Sequence, residues 1–477
     1  MTSKVISLIS QLLKAINETP LDDLDSLIDE IISLITLDHS LFQNTEEQEY
    51  FNHLFLTVVA ILKQSGALDE DETTLEYDKI TELLDVMISI STYEQILNLI
   101  SFDTLLQALD SQIPELQVLA MKILSKASPP DILANTPVIN KLIFLLVNVS
   151  NVRVTNEIEI SLDVLLRGEL IIRRLLSQEN LQVIDDAFQS AEGNNAVIVS
   201  RMLNLVLLLL EHTKTRDEIE DSVTPLLNKL IPTTAEDMDE MQLINLLQFY
   251  VDALSLIDGS LTDKAWLLDM FKPYIVSLIS VYKSDLDKFD FIEGSIAELY
   301  SKISMVSLEF LSQLDSQFIH IGKAPTSLLL SSISPAYLSA HHPTLLSKLR
   351  ITLNAIPVYR NLIRDNACFQ LIKPSLNSKD ILKQSYLEYI AIVESLSRYQ
   401  PVFLLTELPQ VMTKLLDGEA VTEEECFELR KRTLMNLNGL SDERLNVWKG
   451  KVQHEWNLLV NGAGRNIAEV AVFDSSM

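Results

Sequence analysis

Metal chemistry would need histidines or cysteines at spacings that let their side chains converge. The seven histidines lie at positions 39, 53, 212, 320, 341, 342 and 454, and none has a second metal ligand four residues along a helix. His341 and His342 stand before a proline and could bind a metal, but adjacent side chains on a loop more often face solvent. The sequence therefore predicts no metal site.

The motifs of covalent and phosphate chemistry do not appear in a usable context. No serine or cysteine stands in the strand-to-helix setting of a nucleophile elbow. Gly462-Ala463-Gly464 lacks the preceding strand that a phosphate-binding loop requires. Carboxylates are abundant, so no pair is marked as an acid–base couple. We therefore expect a protein that is not an enzyme and takes no cofactor and no small-molecule substrate.

The charge balance restricts the classes of partner. There are 37 Lys and Arg residues against 67 Asp and Glu residues, a formal net charge of −30. A chain of this charge repels phosphate backbones, so we expect no direct binding of nucleic acid. The longest basic run is Arg430-Lys431-Arg432, so a local basic patch stays open. The acidity favours solubility and would also complement a basic protein partner.

Composition favours an all-helical protein. Hydrophobic residues make up 47% of the chain, whereas glycine supplies only 11 residues, too few for the tight turns of parallel α/β folds and phosphate loops. Cys368 and Cys426 provide no disulfide framework, which suits a reducing compartment. We expect a soluble protein of the cytoplasm, with the nucleus as a further compartment.

Two hydrophobic segments need a separate interpretation. Residues 1–15 form an amphipathic helix with Lys4 and Lys14, which differs from a signal peptide. The most apolar run, residues 197–210, contains Arg201 and Asn204 and is too short to span a bilayer. Both segments predict helices of a soluble core, and no membrane association is expected.

Residues 102–167 contain one structural unit twice in succession, namely a helix, a short break and a second helix. The helix after Pro114 has apolar residues spaced as one buried face, at Leu116, Leu119, Ala120, Ile123, Leu124 and Ala127. Helix pairs recur at 103–126, 137–166, 180–211, 217–257 and 263–304. Their starts lie roughly 35–45 residues apart, the period of HEAT and armadillo repeats. The predicted fold is all-α, an α-solenoid of HEAT/armadillo-like helix pairs.

The repeat pattern suggests five segments. Residues 1–100 form N-terminal helical repeats, and residues 101–305 form regular HEAT-like repeats that line the main concave groove. Prolines interrupt residues 306–365, which are either a degenerate repeat or a hinge. Residues 366–461 form C-terminal repeats, and residues 462–477 a flexible tail.

Single long helices are predicted in the C-terminal repeats. The apolar pattern indicates helices at 379–398, 402–416, 422–438 and 441–460. The last of these carries Trp448 and Trp456.

The second helix of each pair lines the concave wall in HEAT-type arrays, so its polar stripe is the candidate partner-binding surface. Stacked repeats would join these stripes into a continuous inner groove. Phe249 and Tyr250 would add aromatic anchors. The full set of partner-binding candidates is Glu157, Asp163, Arg201, Asn204, Asn245, Gln248, Phe249, Tyr250 and Asp252.

Several dispersed stretches resemble a known family. These are Pro401-Val-Phe-Leu-Leu-Thr-Glu-Leu-Pro-Gln-Val-Met412, Tyr359-Arg-Asn-Leu362 with Ala367-Cys-Phe369, and Leu445-Asn-Val-Trp448, together with Leu105-Leu-Gln-Ala-Leu109 and Leu116-Gln-Val118. The sequence is similar to the fungal HEAT-repeat chaperone of proteasome base assembly, a family also called DNA mismatch repair protein.

The resemblance implies a non-catalytic chaperone. Its curved, C-shaped solenoid would hold the C-terminal domain of one ATPase subunit of the regulatory-particle base, in a module with a second ATPase and a large scaffold subunit. It would thereby delay docking of that ATPase on the core particle. The resemblance carries over no particular binding residue.

Two other functions stay open. The older family name suggests a scaffold in DNA mismatch repair, although the negative charge opposes direct contact with DNA. A transport-receptor-like adaptor would also be an acidic solenoid, and release of its cargo would depend on a small GTPase.

Overall fold

The computed structural model describes residues 2–15, 24–37, 45–65, 78–190, 196–230, 240–259, 264–284, 292–352, 355–417 and 423–461. Every regular element within these ranges is a helix, and they contain no β-strand. Packing divides the chain into unit 1, Met1–Pro232, and unit 2, Thr233–Met477. The fold is an all-α solenoid, as predicted, and the division falls inside the predicted segment 101–305.

Unit 1 contains helices α1 to α13. Their bounds are α1 Thr2–Ala15, α2 Asp25–Leu37, α3 Thr45–Ser65, α4 Asp78–Ile90, α5 Tyr93–Leu97, α6 Phe102–Leu109, α7 Pro114–Leu124, α8 Val138–Asn148, α9 Val152–Leu165, α10 Glu169–Leu175, α11 Gln178–Ser190, α12 Ala196–His212 and α13 Glu220–Leu230.

Successive helices of unit 1 pack side by side in a row, which we call the unit 1 row: α2, α4, α7, α9 and α12. Helices α6, α8 and α11 pack against this row as the second layer. Within α9, Val154, Ile158 and Leu162 recur every four residues and are completely buried. Burial of each such side chain stabilises the fold by roughly 1.5–3 kcal/mol. The layers are therefore held by continuous apolar faces, as in other solenoids.

Unit 2 consists of helices α14 to α29. Their bounds are α14 Glu240–Gly259, α15 Trp266–Ser284, α16 Glu293–Val306, α17 Leu308–Leu314, α18 Ser327–Ser332, α19 Pro335–His341, α20 Pro343–Leu346, α21 Ile356–Ile363, α22 Asn366–Ile372, α23 Ser378–Leu382, α24 Tyr386–Tyr399, α25 Pro401–Glu407, α26 Pro409–Leu415, α27 Glu424–Asn438, α28 Asp442–Leu445 and α29 Lys449–Asn461. The unit 2 row comprises α14, α16, α18, α21, α24, α27 and α29, each packed on the next.

The helix pairs read from the sequence match the structure closely. The predicted pair 137–166 corresponds to α8 and α9, and the pair 180–211 to α11 and α12. The pair 263–304 corresponds to α15 and α16. Their ends differ from the predictions by a few residues, which is the usual uncertainty at helix termini.

Three helices predicted as continuous are divided in the structure. Residues 379–398 form α23 and α24, because Ser385 and Glu388 make a reciprocal capping box that starts a new helix. Residues 402–416 form α25 and α26, because Pro409 begins the second helix. Residues 441–460 form α28, a 3-10 turn and α29, with Asn446 at a positive φ of 44° where the chain turns.

The proline-interrupted segment 306–365 continues the unit 2 row through α18 and α21. Its prolines stand at helix starts: Pro335 and Pro343 open α19 and α20, and Pro357 lies in the first turn of α21. A proline costs nothing there, because the first N–H groups of a helix have no partner within it. The segment is a series of short helices inside one packed unit.

A buried carboxylate organises the same segment. Asp315 is only 7% exposed and accepts hydrogen bonds from the backbone N–H of Ile321 at 2.8 Å and from the Tyr337 hydroxyl at 2.8 Å. His342 Nε2 lies 2.7 Å from the same carboxylate, and the His341 ring stacks on Tyr337. His342 therefore belongs to a packed network, which corrects the expectation that it faces solvent, whereas His341 is exposed, as expected.

Helix α10 is capped by a residue distant in sequence. Its own N-cap residue is Gly168, which has no side chain to offer. Asp131 Oδ1 instead accepts the backbone N–H of Leu170 at 2.9 Å. A Cβ atom on Gly168 would overlap with that oxygen, so a larger residue there would displace the Asp131 carboxylate from its cap.

Both thiols lie in the core of unit 2. Cys368 is fully buried and lies 3.0 Å from the carbonyl of Pro335, and Cys426 is 2% exposed. Burial, with the nearby Asp365 carboxylate, raises the pKa of Cys368 to about 12, and burial also raises that of Cys426. The predicted flexible tail, 462–477, lies outside the described residues.

Candidate partner-binding surface

Two apolar side chains on helices of the unit 1 row are exposed to solvent. Ile160 of α9 is 59% exposed, and Val197 of α12 is 58% exposed. Helices α9 and α12 pack against each other, so the two exposed side chains belong to neighbouring helices of the row. Exposed apolar groups next to polar ones are typical of a protein-binding surface.

An acidic group lies beside this surface at the junction of α4, α7 and α9. Lys122 Nζ on α7 contacts Asp85 on α4 at 2.7 Å. Glu157 of α9 is half-buried beside this pair. Burial is the main reason that the pKa of Glu157 is raised, Asp85 raises it further, and Lys122 and Arg153 oppose the change. The junction therefore holds two carboxylates, those of Asp85 and Glu157, close to Lys122.

Polar contacts also link α9 to α12. Asn204 Nδ2 donates to Glu159 Oε1 at 3.2 Å, and His212 Nε2 lies 2.8 Å from Asp163 Oδ1. Arg167 approaches the second oxygen of Asp163 at 3.7 Å. These contacts fix the register of the two helices and hold two carboxylates, those of Glu159 and Asp163, on α9 beside the exposed Ile160.

Arg201 has a different role from its predicted neighbours. Its guanidinium donates to the backbone carbonyls of Leu146 at 2.9 Å and Val149 at 2.6 Å, at the end of α8. Carbonyls at a helix C-terminus lack partners within the helix, so this contact satisfies them. Arg201 thus braces α12 against α8, and its head group is directed into the protein.

In unit 2, the polar stripe of α14 lies where the sequence predicts a surface. Gln248 is exposed and donates to Asp252 Oδ1 at 3.0 Å. Asn245 lies one turn earlier and is partly exposed. Asn245, Gln248 and Asp252 are therefore accessible to a partner on the solvent-exposed side of α14.

The predicted aromatic anchors are in the core. Phe249 is 3% and Tyr250 is 1% exposed, and both rings pack edge-on against Phe271 with centroids 5.6 Å apart. The expectation that these rings lie on the surface is wrong. Tyr250 lies on the side of α14 opposite the polar stripe. Phe249 follows Asn245 by one turn at the edge of that stripe, and its ring is buried because it packs on Phe271.

Sequence reasoning missed Ile160 and Val197. A signal was present, because Asn156 and Ile160 stand four residues apart opposite the buried Ile158. An isolated aliphatic residue on a polar stripe was not distinguished from a core residue. Glu159 was missed because its importance depends on Asn204, which lies 45 residues later in the chain.

An apolar cavity of about 260 Å³ lies between α3, α4, α6 and α7. Phe55, Leu84 and Leu105 contribute to its walls. The polar residues that line it are Thr104, Gln107 and Ser111. No residue that lines it is charged, so this cavity offers no acid, base or cation for catalysis.

Within the part of the chain that the structure describes, no group of three or more His, Cys, Asp or Glu side chains is placed to hold a metal ion. No helix in the same residues has the length and apolar character needed to cross a bilayer.

Family models match nearly the whole sequence. The model of the N-terminal domain of DNA mismatch repair protein HSM3 matches residues 7–255, and that of its C-terminal domain matches residues 264–477. Helix α14 thus falls under the N-terminal model, although it packs on α16 in unit 2. In a repeat array each helix contacts its neighbours on both sides, so such divisions differ in position.

Curated relatives carry the same description over most of their length. The DNA mismatch repair protein HSM3 of Kluyveromyces lactis is 27% identical over 422 residues, which is 86% of this chain and 87% of that protein. The protein of that name from Saccharomyces cerevisiae is 26% identical over 478 residues, 97% of this chain and 96% of the relative. With both domain models matched in order, this chain belongs to the HSM3 family of DNA mismatch repair proteins.

Proposed function

We propose that this protein is a non-catalytic assembly chaperone for the base of the proteasome regulatory particle. It binds the C-terminal domain of one proteasomal ATPase subunit and delays the docking of that subunit on the core particle. Its client belongs to a module with a second ATPase and a large scaffold subunit. The proposal combines the resemblance in the sequence with the surfaces of the two rows.

The observation that carries the proposal is the outward surface of α9 and α12. Ile160 and Val197 supply exposed apolar area on these two helices, and α9 also carries the carboxylates of Glu157, Glu159 and Asp163. Apolar contacts exclude water at the centre of an interface, and charged groups at its rim select the partner and speed the encounter. This arrangement suits a folded domain with a basic rim.

The solenoid fold also fits a holding function. Each row presents a long surface without needing a catalytic pocket, and repeat proteins commonly use such surfaces to bind other proteins. A chaperone of this kind must bind its client and later release it. Rim charges that are screened by salt and an apolar centre of limited size both favour reversible binding.

Calorimetric titration of the full-length protein with the recombinant C-terminal domain of each proteasomal ATPase tests the proposal. We expect saturable one-to-one binding to a single ATPase type, independent of nucleotide and weaker at high salt. Heat changes that do not saturate with any of these domains would contradict the proposal.

A second candidate function is a scaffold in DNA mismatch repair, which is favoured by the name of the relatives, DNA mismatch repair protein HSM3. Direct binding of duplex DNA is opposed by the net charge of −30. The same calorimetric experiment with duplex DNA and with mismatch-repair proteins separates the two functions, because only the scaffold function predicts binding to repair proteins.

A further inference from the structure

We propose that the C-terminal part of the unit 2 row, around Arg364 and Arg398, is a docking surface for an acidic segment of a partner protein. Arg432 on the next helix extends the surface, and we call these three residues the arginine surface. The proposal does not depend on the identity of the client proposed above.

Helix register brings the three guanidinium groups together. Arg360 on α21 contacts Glu394 on α24 at 3.4 Å. Arg364 and Arg398 each lie four residues further along their helices, which is one turn on the same side. Neighbouring helix axes are about 8–10 Å apart, so these two side chains stand within reach of one acidic segment.

A second contact places α27 in the same register. Asn436 Nδ2 donates to Ser397 Oγ at 3.2 Å, which aligns the last turn of α27 with the last turn of α24. Arg432 precedes Asn436 by four residues and therefore lies on the same side of α27, one turn before that contact. The arginine surface thus spans three successive helices.

These cations are exposed and lack carboxylate partners. Arg364, Arg398 and Arg432 are all exposed. Among the residues that the structure describes, no aspartate or glutamate forms an ion pair with any of the three. Arg398 lies over the ring of Tyr399, 5.2 Å from its centroid, which orients the guanidinium without neutralising it.

The basic run Arg430-Lys431-Arg432 separates into three environments. Arg430 is buried and pairs with Glu455, and Lys431 lies 3.6 Å from Glu428. Only Arg432 is both exposed and without a carboxylate. The run therefore contributes one cation, Arg432, to the arginine surface. The other two cations of that surface, Arg364 and Arg398, lie at the ends of α21 and α24.

Local charge can dominate here despite the overall charge of −30. The Debye length is about 10 Å at an ionic strength of about 0.1 M, so distant carboxylates are largely screened. A carboxylate in contact with an arginine is bound by two parallel hydrogen bonds, which fixes its geometry as well as adding attraction.

The neighbouring charges favour an acidic protein segment over nucleic acid. Glu424 and Glu425 are exposed at the start of α27, on the helix that carries Arg432. A duplex is wide and carries a charge about every 1.7 Å of its length, so it would also approach these carboxylates. A single acidic chain can follow the arginines and avoid them.

Fluorescence anisotropy with a labelled peptide of alternating glutamate and glycine tests the proposal on the full-length protein. We expect saturable binding at moderate salt that disappears at about 1 M salt, where the Debye length falls to about 3 Å. The double variant Arg364→Glu/Arg398→Glu should weaken binding about tenfold or more, because two attractions become repulsions.

The matched control is Lys379→Glu/Lys383→Glu on α23, which changes the net charge by the same amount outside the row. It should leave peptide binding within about twofold, since exposed distant charges are screened. Equal weakening in both double variants, equal binding of a lysine–glycine peptide, or tighter binding of duplex DNA to the same residues would each overturn the proposal. Circular dichroism with unchanged thermal transitions shows that the variants fold.

Discussion

Arg430 and Glu455 form a buried ion pair that joins α27 to α29. Their side chains are 8% and 12% exposed, and Nη2 of Arg430 lies 2.9 Å from the Glu455 carboxylate. The same nitrogen donates to the carbonyl of Leu415 at 3.3 Å. Because an arginine stays charged at any ordinary pH, removal of its partner would leave an unneutralised charge in the core.

Glu455→Ala should therefore destabilise unit 2 by about 3–5 kcal/mol. Urea denaturation followed by tryptophan fluorescence measures this, because Trp266, Trp448 and Trp456 all lie in unit 2. The double variant Arg430→Met/Glu455→Leu should recover most of the loss, because it removes both charges. A single variant as stable as the wild type would contradict the pair's role.

At Tyr250, the effect of the buried ring on stability can be separated from the effect of the buried hydroxyl. Its hydroxyl has no hydrogen-bond partner among the described residues, and burial raises its pKa. Tyr250→Phe should leave stability unchanged or increase it by about 1 kcal/mol, because an unpaired buried hydroxyl is removed. Tyr250→Ala should cost about 3–5 kcal/mol, because the ring leaves a cavity. Urea denaturation measures the free energy of unfolding of both variants. Equal losses of stability in Tyr250→Phe and Tyr250→Ala would contradict the conclusion that the buried hydroxyl is unfavourable.

Glu157 should destabilise unit 1 at neutral pH. Its folded-state pKa is raised, so the folded protein binds its proton more tightly than the unfolded chain. Stability from this group is present at low pH and is lost as pH rises from the unfolded pKa through the folded pKa. Glu157→Gln should thus be more stable than the wild type at pH 7, with the difference shrinking in acid. Thermal unfolding by circular dichroism from acid to neutral pH measures the trend, and a difference that grows in acid would contradict it.

Gly168 and Asp131 should behave as a coupled pair. Gly168→Ala forces the Asp131 carboxylate from its cap on α10, which costs about 0.5–2 kcal/mol for the lost cap. Asp131→Ala loses the same cap. In a double-mutant cycle the combined variant should cost clearly less than the sum of the single variants. Additive losses would show that Gly168 is required for another reason.

Ile160 and Phe144 test which layer of unit 1 binds the client. Ile160 is 59% exposed on the row, whereas Phe144 is 57% exposed on α8 in the second layer. Ile160→Asp should weaken binding of the ATPase domain about tenfold or more, because a charge replaces apolar contact at the centre of the interface. Phe144→Asp should leave it unchanged by calorimetry. The reverse ranking would move the interface to the other layer.

The local rules accounted for most helices, because an apolar residue at every third or fourth position specifies both a helix and its buried side. Val154, Ile158 and Leu162 required no further information. The capping box of Ser385 and Glu388 was also readable in the sequence, but the apolar pattern on both sides of it obscured the break.

The candidate site depended more on contacts between distant residues. Arg201 was predicted as a surface group, yet the carbonyls that orient it lie more than 50 residues earlier. Arg398 gained its significance from Arg364 through the packing of α21 on α24. Such relations arise from the stacking of repeats, and neither periodicity nor composition contains them. The predicted C-shaped curvature and continuous groove stay predictions.

The location of the two cysteines makes the reactivity of their thiols a measure of the opening of unit 2. Both thiols are buried, poorly ionised and confined to unit 2, so an alkylating reagent can modify them only when that unit opens. Unit 1 contributes no signal. The rate of alkylation therefore reports how often unit 2 opens, and slowing of that rate by a bound client would reveal stabilisation of this half of the chain without any added label.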